Sequence, residues 1–417
     1  MAARRREILA GTVASLGLAA GKPFAARAAG ATHAAAARPP LVIGALFPMT
    51  GALAAQGNEC LRGVQIATEL CNAGGGLLGR PVSLALGDAA DPDRAVAEAR
   101  RLIAGKAPAL ILGTGASELS LGASEASEGS GIPYWELTAT LPSVTSRGFH
   151  YLLRVCDIAT DTADCLREAL GRIIAPALHK PVASVSVALL YADDAGGSAL
   201  QGLVQAASSR HAMAPPMSIA YQTGAADFNA LAERLAVLRP EVLIHHGSAE
   251  DVVLLHTALA KRAWRPRALI GVSAPYGSSE TAEMVGPAFE GTLAVGVVPF
   301  GVKARLAPDA AMVATLYEQR FGASPRSGLS LSHFAGTALC FDVLRLAKSA
   351  DKDKVLGVVH GLALARGSLA NGWGAQFGKD GQNLRAFAAL SQWQGGKLVT
   401  LLPGAGAASG AVFHPGG

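Results

Sequence analysis

The first residues to consider are those of motifs that catalyse reactions or bind nucleotides. Gly113-x-Gly115 follows an apolar run and precedes a helical pattern, which is half of a dinucleotide-binding fingerprint, but Glu118 occupies the position of the third glycine. The sequence contains no G-x-x-x-x-G-K-[ST], H-E-x-x-H or G-x-S-x-G pattern. Because no nucleophile, base and orienting group occur at a recognisable spacing, we predict that the protein is not an enzyme and uses no cofactor.

Histidine and aspartate clusters are the next candidates, since these residues bind metal ions or transfer protons. His245 and His246 end an apolar strand, so their side chains should point to opposite faces. His256 follows without a Cys or carboxylate at ligand spacing, which favours structural or pocket-lining histidines and predicts no metal site. Asp193-Asp194 follows another strand, where a turn or a helix cap is favoured over an acid pair.

Hydroxyl groups and backbone amides at strand ends offer a different chemistry, the binding of a carboxylate. Ligands of open α/β sheets bind beyond the carboxyl ends of the strands. Ser117 starts a helical pattern after one strand, where it is either a ligand group, offering its hydroxyl and free backbone N–H groups, or a plain N-cap. The matching loops are 48–57, 88–91, 113–117 and 136–142 in one half of the chain and 192–198, 247–250 and 273–277 in the other.

Alternating strands and helices must position these loops. Short apolar runs alternate with helical patterns over 41–135 and again over 185–272. This order predicts parallel sheets covered by helices on both faces, and two series predict two lobes. The last third is expected to contain a strand at 292–298, helices near 309–321, 331–349 and 352–365, and hairpin-like segments around 374–378 and 384–402.

Composition excludes several classes of protein. Of the 417 residues, 50% are hydrophobic and 16% are charged, the reverse of the balance in a disordered chain. The formal net charge is +5, but residues 1–28 carry five basic residues and one acidic residue. The rest of the chain is therefore nearly neutral and lacks the excess of basic residues that nucleic-acid binding requires. The five cysteines form no C-x-x-C pair. Cys60 and Cys71 are predicted to be buried thiols, and a disulfide between Cys156 and Cys165 is left open.

The first 36 residues are typical of an export signal. Arg5-Arg6 precedes an uncharged run from Ile8 to Gly21, which is too short to span a bilayer and has the length of a signal-peptide core. Small residues at 26–28 or 34–36 would suit cleavage. The route is either the twin-arginine one or the ordinary secretory one, and we expect a soluble, periplasmic mature protein.

Short motifs spread along the chain point to a family. They are Ile43-Gly44, Thr50-Gly51, Gly57, Gly63, Asn72, Gly74-Gly75, Gly79, Asp88, Asp91-Pro92, Ala95-Val96-Ala97, Gly131-Ile132-Pro133, Thr138-Ala139-Thr140, Arg147-Gly148, Arg154, Tyr191-Ala192-Asp193-Asp194, Asp227-Phe228 and Pro240-Glu241. From about Leu41 to about Lys397, their order and spacing resemble the periplasmic solute-binding proteins of branched-chain amino acid ABC transporters, the leucine/isoleucine/valine-binding group.

The resemblance implies a type I periplasmic binding protein, with two Rossmann-like α/β lobes of parallel sheets joined by a three-crossover hinge. It predicts a signal peptide and disordered start at 1–36, lobe 1 at 41–157 plus 292–372, and lobe 2 at 158–291 plus 373–403, with crossovers near 156–160, 286–292 and 370–375. The implied partners are a small-molecule ligand, an ABC permease and its ATPase. The mature protein is expected to be monomeric, not to span the membrane and not to bind nucleic acid.

Carried over by position, the resemblance places Ser117, Ala139 and Thr140 on the ligand carboxylate, with Ala139 acting through its backbone. Glu136 either supplies a replacement charge or forms a rim salt bridge. The complete set of candidate ligand-binding residues is Ser117, Ala139, Thr140, Thr138, Gln56, Glu136, Ser248 and Ser273.

Three positions depart from the family pattern. The family has an aromatic residue where this chain has Gly196, and a second aromatic residue where this chain has Gly247 or Ser248. The family's acidic residue that binds the ligand ammonium group corresponds in position to Ser273. The absence of these larger side chains is expected to leave room in the binding site for a ligand larger than leucine. Four aromatic residues could line that space: Tyr134, Trp135, Tyr191 and Tyr276.

The sequence thus predicts an extracytoplasmic solute-binding component of an ABC importer, of the amino acid transport type. It would capture a small organic solute, a carboxylate or an amino-acid-like molecule, by hinge closure. The alternative is a ligand-sensing receptor or regulator of the same fold, such as an amide sensor.

Overall fold

The structure is a computed structural model that describes residues 38–210, 213–262, 264–407 and 409–413. The export signal predicted at 1–36 lies outside these residues. The described chain forms two sheets with helices on both faces, so the predicted two-lobed α/β architecture is confirmed. We call the part built on the first sheet lobe 1 and the part built on the second sheet lobe 2.

Lobe 1 is built on a five-stranded parallel sheet. The strands lie in the order β2-β1-β3-β4-β5, with β1 paired to β2 on one side and to β3 on the other. Their bounds are β1 Leu41–Phe47, β2 Val82–Asp88, β3 Ile111–Gly113, β4 Tyr134–Glu136 and β5 Leu152–Arg154. The central β1 is apolar throughout and almost entirely buried, as expected of a strand covered on both faces.

Lobe 2 is built on a seven-stranded mixed sheet in the order β12-β11-β10-β9-β8-β6-β7. The bounds are β6 Val187–Ala192, β7 Met217–Tyr221, β8 Val242–His246, β9 Ala268–Gly271, β10 Leu293–Gly296, β11 Ala389–Gln394 and β12 Lys397–Leu402. The strands β6 to β10 run parallel, whereas β11 and β12 form the antiparallel hairpin that the sequence predicts near the end of the chain.

Eleven longer helices of the described chain pack against these sheets. Their bounds are α1 Ala54–Ala73, α2 Pro92–Lys106, α3 Ser117–Gly129, α4 Ala159–Ala169, α5 Ala195–Arg210, α6 Phe228–Leu238, α7 Ala249–Ala260, α8 Ser279–Val285, α9 Ala310–Phe321, α10 Gly328–Ala347 and α11 Lys352–His360. The helix α2 begins as the sequence predicts, because Asp91 accepts a hydrogen bond from the Arg94 N–H at 2.8 Å and Pro92 occupies the first turn.

The predicted lobe boundaries differ from the observed sheet membership at two places. β10 belongs to the second sheet, although residues 292–372 were expected in lobe 1. Trp373, Phe377 and Phe387 pack into the core of lobe 1, although residues 373–403 were expected in lobe 2. The segment before β11 stays in lobe 1 because it runs beside β5, where the Arg154 N–H donates to the Gly381 carbonyl at 2.8 Å.

Three crossovers join the lobes, connecting β5 at the edge of the first sheet with the part of the second sheet that contains β10 and β11. The first, between β5 and α4, is near the predicted residues 156–160, whereas the second follows β10 and the third precedes β11. The first two leave the carboxyl ends of parallel strands, and the third enters where Ala389 pairs with Gly296 at the end of β10. The carboxyl ends of the parallel strands of both sheets therefore adjoin the same hinge, and we call the region between them the cleft.

All five cysteines are buried and unpaired. Cys60 and Cys71 lie on the buried face of α1, which confirms the prediction of buried thiols. Cys156 and Cys165 are separate thiols, so the disulfide left open by the sequence is not formed.

Candidate functional site

Glu136 organises the loops at the carboxyl edge of lobe 1. Its side chain is fully buried at the end of β4. The carboxylate accepts hydrogen bonds from five backbone N–H groups and from the Ser120 hydroxyl; the backbone donors are Thr114, Gly115, Leu137, Thr138 and Ala139. Burial raises the pKa of Glu136, and the Ser120 hydroxyl and backbone donors oppose that shift.

This geometry corrects one expectation and bears on another. Glu136 is neither a replacement charge for the ligand nor a rim salt bridge, because it is buried beneath the loops and bonded to their backbone. Ala139 was expected to act on a ligand carboxylate through its backbone, and its N–H donates to Glu136 Oε1 at 2.9 Å. This hydrogen bond holds the loop in place, and the role of Ala139 toward a ligand stays a prediction.

Ser117 and Thr140 remain at the lobe 1 edge with hydroxyls available to a ligand. Ser117 is the first residue of α3 and Ala116 is the N-cap, so the N-cap reading is wrong. Ser117 Oγ accepts from the Leu141 N–H at 3.1 Å, which leaves the hydroxyl hydrogen free to donate. The Thr140 carbonyl accepts from the Ala159 N–H at 2.9 Å, and within the described residues the half-buried Thr140 hydroxyl forms no hydrogen bond.

Two further predicted residues support the same loops, Gln56 from α1 and Thr138 within the loop after β4, where it contacts His333 of α10. Gln56 Nε2 donates to the Gly115 carbonyl at 2.9 Å. Gly115 has a φ of +81°, which only glycine adopts without strain, and its backbone passes close to Cys60 and Thr138. Thr138 is buried with its hydroxyl 3.5 Å from His333 Nε2. These residues position the site more than they face the cleft.

Arg154 is a positioning residue to which the sequence assigned no role. It is fully buried, and its guanidinium donates to the carbonyls of Ala139 at 3.2 Å and Leu141 at 2.6 Å, to Thr145 Oγ1 at 3.0 Å and to Gln382. Arg154 therefore clamps the segment that carries Thr140. The sequence feature that could have indicated this role is a lone arginine at the end of an apolar strand, because a buried guanidinium needs hydrogen-bond acceptors.

The two serines predicted on the lobe 2 edge have structural partners. Ser248 is exposed and caps α7, accepting from the Asp251 N–H at 3.2 Å while Asp251 accepts from the Ser248 N–H at 2.9 Å. The Ser273 hydroxyl donates to the Gly247 carbonyl at 2.7 Å. The structure brings both residues to the cleft edge, but their hydroxyls serve the loops.

The space expected at the two glycines of lobe 2 is already occupied. A Cβ atom on Gly196 would lie 3.0 Å from His246 Nε2, and one on Gly247 would lie 2.2 Å from the Tyr221 hydroxyl. Three of the aromatic residues expected to line a larger pocket are core residues, namely Tyr134, Trp135 and Tyr276; Tyr191 is half-buried. The expectation of added room was therefore wrong at these positions.

His245 and His256 are structural, as the sequence favours. His245 lies between the hydroxyls of Tyr221, 2.9 Å from Nε2, and Tyr276, 2.6 Å from Nδ1. Burial lowers the pKa of His245 well below its ordinary value and that of His256 to about 4, so both rings are neutral at pH 7. The part of the chain that the structure describes contains no group of three or more His, Cys, Asp or Glu side chains able to hold a metal ion.

Comparison with known proteins fits this architecture. A family model described as "Periplasmic binding protein" matches residues 40–397. The chain belongs to the periplasmic binding protein family. Within it, the chain is 32% identical over 361 residues to Leu/Ile/Val-binding protein homolog 8 of Brucella abortus, covering 86% of this chain and 90% of that protein. It is 33% identical over 386 residues to homolog 7 of Brucella suis, covering 92% and 96%.

Solved structures of other binding proteins share the fold. A branched-chain amino acid transporter substrate-binding protein of Streptococcus pneumoniae, in complex with isoleucine, is 16% identical with a TM-score of 0.73, covering 87% of this chain and 99% of that one. An ABC transporter solute-binding protein of Rhodopseudomonas palustris, in complex with 3,4-dihydroxybenzoic acid, is 17% identical with a TM-score of 0.71, covering 90% and 98%. Of the helices described in this periplasmic binding protein, none is long and apolar enough to cross a membrane.

Proposed function

We propose that this protein is the extracytoplasmic solute-binding component of an ABC importer and captures a small carboxylate by hinge closure. The observation that carries the proposal is the position of the Ser117 and Thr140 hydroxyls at the lobe 1 edge, facing lobe 2 across a three-crossover hinge. Closure would bring the lobe 2 edge onto a ligand held by lobe 1 and exclude water from it.

The lobe 1 edge has the donors that a carboxylate needs. The Ser117 hydroxyl can donate, and the first N–H groups of α3, which begins at Ser117, lie at the positive end of the helix dipole. The Thr140 hydroxyl lies beside them on a segment fixed by Arg154. Charge-assisted hydrogen bonds of this kind are the stronger class of polar contact.

At the lobe 2 edge, Ser273 stands where the family resemblance places the acid that binds a ligand ammonium group, and its hydroxyl is bonded to the Gly247 carbonyl. Asp194 accepts from the Gly197 N–H at 2.7 Å and lies 3.6 Å from His246 Nε2, so its charge is engaged at the start of α5. Because a buried ammonium without an acidic partner is strongly disfavoured, we propose a carboxylate without a free α-amino group.

The relatives on this fold bind ligands of both kinds, isoleucine in one complex and 3,4-dihydroxybenzoic acid in another. Calorimetry of the mature protein with 4-hydroxybenzoate, benzoate, leucine and isoleucine separates these two classes. We expect stoichiometric binding of a carboxylate probe and none of the amino acids. Tight leucine binding would overturn the ligand class, and binding of none of the four would leave the carboxylate proposal contradicted.

Export is part of the proposal, since an importer's binding protein works outside the cytoplasm. The signal at residues 1–36 favours the twin-arginine route through Arg5 and Arg6. The double variant Arg5→Lys, Arg6→Lys is expected to accumulate as full-length precursor in the cytoplasm, detected by fractionation and mass. Normal processing and export of that variant would refute the twin-arginine route.

A further inference from the structure

His246 presents an imidazole at the lobe 2 edge that the carboxylate site does not use. It is the last residue of β8, and its neighbour His245 is fully buried between Tyr221 and Tyr276. Adjacent strand residues point to opposite faces, so His246 points to the other face of the sheet, toward the start of α5. The side chain is 19% exposed and lies at the carboxyl end of β8.

The absence of a side chain at Gly196 makes room for this ring. A Cβ atom on Gly196 would lie 3.0 Å from His246 Nε2 and 3.2 Å from Cε1, closer than an ordinary van der Waals contact. The imidazole therefore packs directly over the backbone of the first turn of α5. Any larger residue at position 196 would displace it.

Asp194 lies beside Gly196, at the same Nε2 side of the ring. Its Oδ1 atom lies 3.6 Å from His246 Nε2 and accepts from the Gly197 N–H at 2.7 Å, so the carboxylate is anchored to the start of α5. Contact with His246 lowers the pKa of Asp194, which keeps the carboxylate charged beside the ring. With Nε2 facing Asp194, Nδ1 is the ring nitrogen left for another partner, and no described residue forms a hydrogen bond with it.

We infer that His246 is a specificity-determining residue of the binding site and forms a hydrogen bond with a hydroxyl group at the end of the ligand distant from its carboxylate. The inference rests on the proposed capture of a carboxylate by Ser117 and Thr140, and it narrows the ligand class to hydroxyl-bearing carboxylates. A ring packed against the start of α5 by these contacts loses little freedom on binding, which favours its use as a selective contact.

Matched ligand pairs test this role. The wild-type mature protein should bind 4-hydroxybenzoate about tenfold more tightly than benzoate in calorimetry, the factor that one net hydrogen bond supplies. A second pair, 5-hydroxypentanoate and pentanoate, extends the test to aliphatic carboxylates. The His246→Ala variant should lose the preference within each pair while retaining its affinity for the member without the hydroxyl. His360→Ala, at the exposed end of α11, is the matched control and should keep the preference.

A second variant tests the contact between His246 and Gly196 directly. Gly196→Ala should reduce the preference for the hydroxylated probes in the wild-type background and change nothing in the His246→Ala background, because the clash is with the imidazole. An unchanged preference in His246→Ala, or equal wild-type binding within each pair, would overturn the role of His246 while leaving carboxylate capture intact. Failure of the wild-type protein to bind any probe would overturn the proposed function and this inference with it.

Discussion

The two edges that face the cleft use their polar groups differently. At the lobe 1 edge, two fully buried residues, Glu136 and Arg154, hold the loop backbone, and the half-buried hydroxyls of Ser117 and Thr140 keep a hydrogen to donate. At the lobe 2 edge, the hydroxyls of Ser248 and Ser273 themselves hold the loops. The difference shows that a hydroxyl at a strand end can bind a ligand only where other residues form the hydrogen bonds that hold the loop.

The largest effect is expected at Glu136. Glu136→Gln replaces an acceptor of several N–H bonds by an amide whose own N–H groups face those donors, so the free energy of unfolding should fall by about 2–4 kcal/mol. Glu125→Gln, exposed on the same helix that Ser120 belongs to, is the control and should change stability little. Chemical denaturation measures both, and equal stability of the two variants would contradict the structural role of Glu136.

Much of the fold could be predicted from the sequence, since apolar runs and helix caps are local signals. The parallel sheets, the terminal hairpin and the buried thiols of Cys60 and Cys71 were correctly predicted on that basis. The sheet to which β10 belongs was not, because a strand pattern does not identify its neighbour.

The candidate site was less predictable because its contacts join distant segments. The donors to Glu136 come from two loops, after β3 and after β4, and Arg154 acts through carbonyls at positions 139 and 141. The volume lost at Gly196 was filled by a histidine from a strand some fifty positions later. No spacing rule within one segment reveals such partners.

A pH-dependent effect is expected at Asp157, in the crossover between the two edges. Burial raises its pKa from 3.8 to about 7, so between those values the unfolded chain has released the proton that the folded protein retains. Stability should therefore fall as pH rises from about 4 to 7 and level off above that range. Asp157→Asn should remove this decline. The free energy of unfolding of the variant, measured against that of the wild type, should therefore rise by about 1–3 kcal/mol between pH 4 and pH 8.

The control for that measurement is Asp164→Asn, an exposed aspartate on α4. Thermal unfolding of both variants at several pH values gives the comparison. An Asp157→Asn variant whose stability follows the wild-type pH profile would show that this carboxyl does not titrate in the folded protein as described.

Thr140 tests the ligand-facing side of the comparison. Thr140→Val keeps the shape of the side chain and removes the hydroxyl, so affinity for a bound carboxylate should fall by about 1–3 kcal/mol while the free energy of unfolding changes little. Thr315→Val, exposed on α9, is the matched control. Calorimetry with 4-hydroxybenzoate measures the loss, and equal affinity of the two variants would remove Thr140 from the site.

Ser248 tests whether a hydroxyl at the lobe 2 edge serves stability rather than ligand binding, and its expected effect is the smallest. Ser248→Ala removes the cap of α7 and should cost about 1 kcal/mol of stability without altering ligand affinity. Ser248→Ala should thus lower stability and leave affinity unchanged, whereas Thr140→Val should lower affinity and leave stability nearly unchanged. A Ser248→Ala variant with normal stability and weakened binding would show that the two edges share the ligand chemistry equally.

Hinge closure between the two edges is tested most directly by small-angle X-ray scattering of the wild-type mature protein with and without saturating 4-hydroxybenzoate. Lobes that close on a carboxylate held at Ser117 and Thr140 should give a smaller radius of gyration with the ligand, at unchanged molecular mass. The Ser117→Ala, Thr140→Val double variant should stay at the ligand-free value under the same conditions. Identical profiles of the wild-type protein with and without the probe would contradict capture by closure.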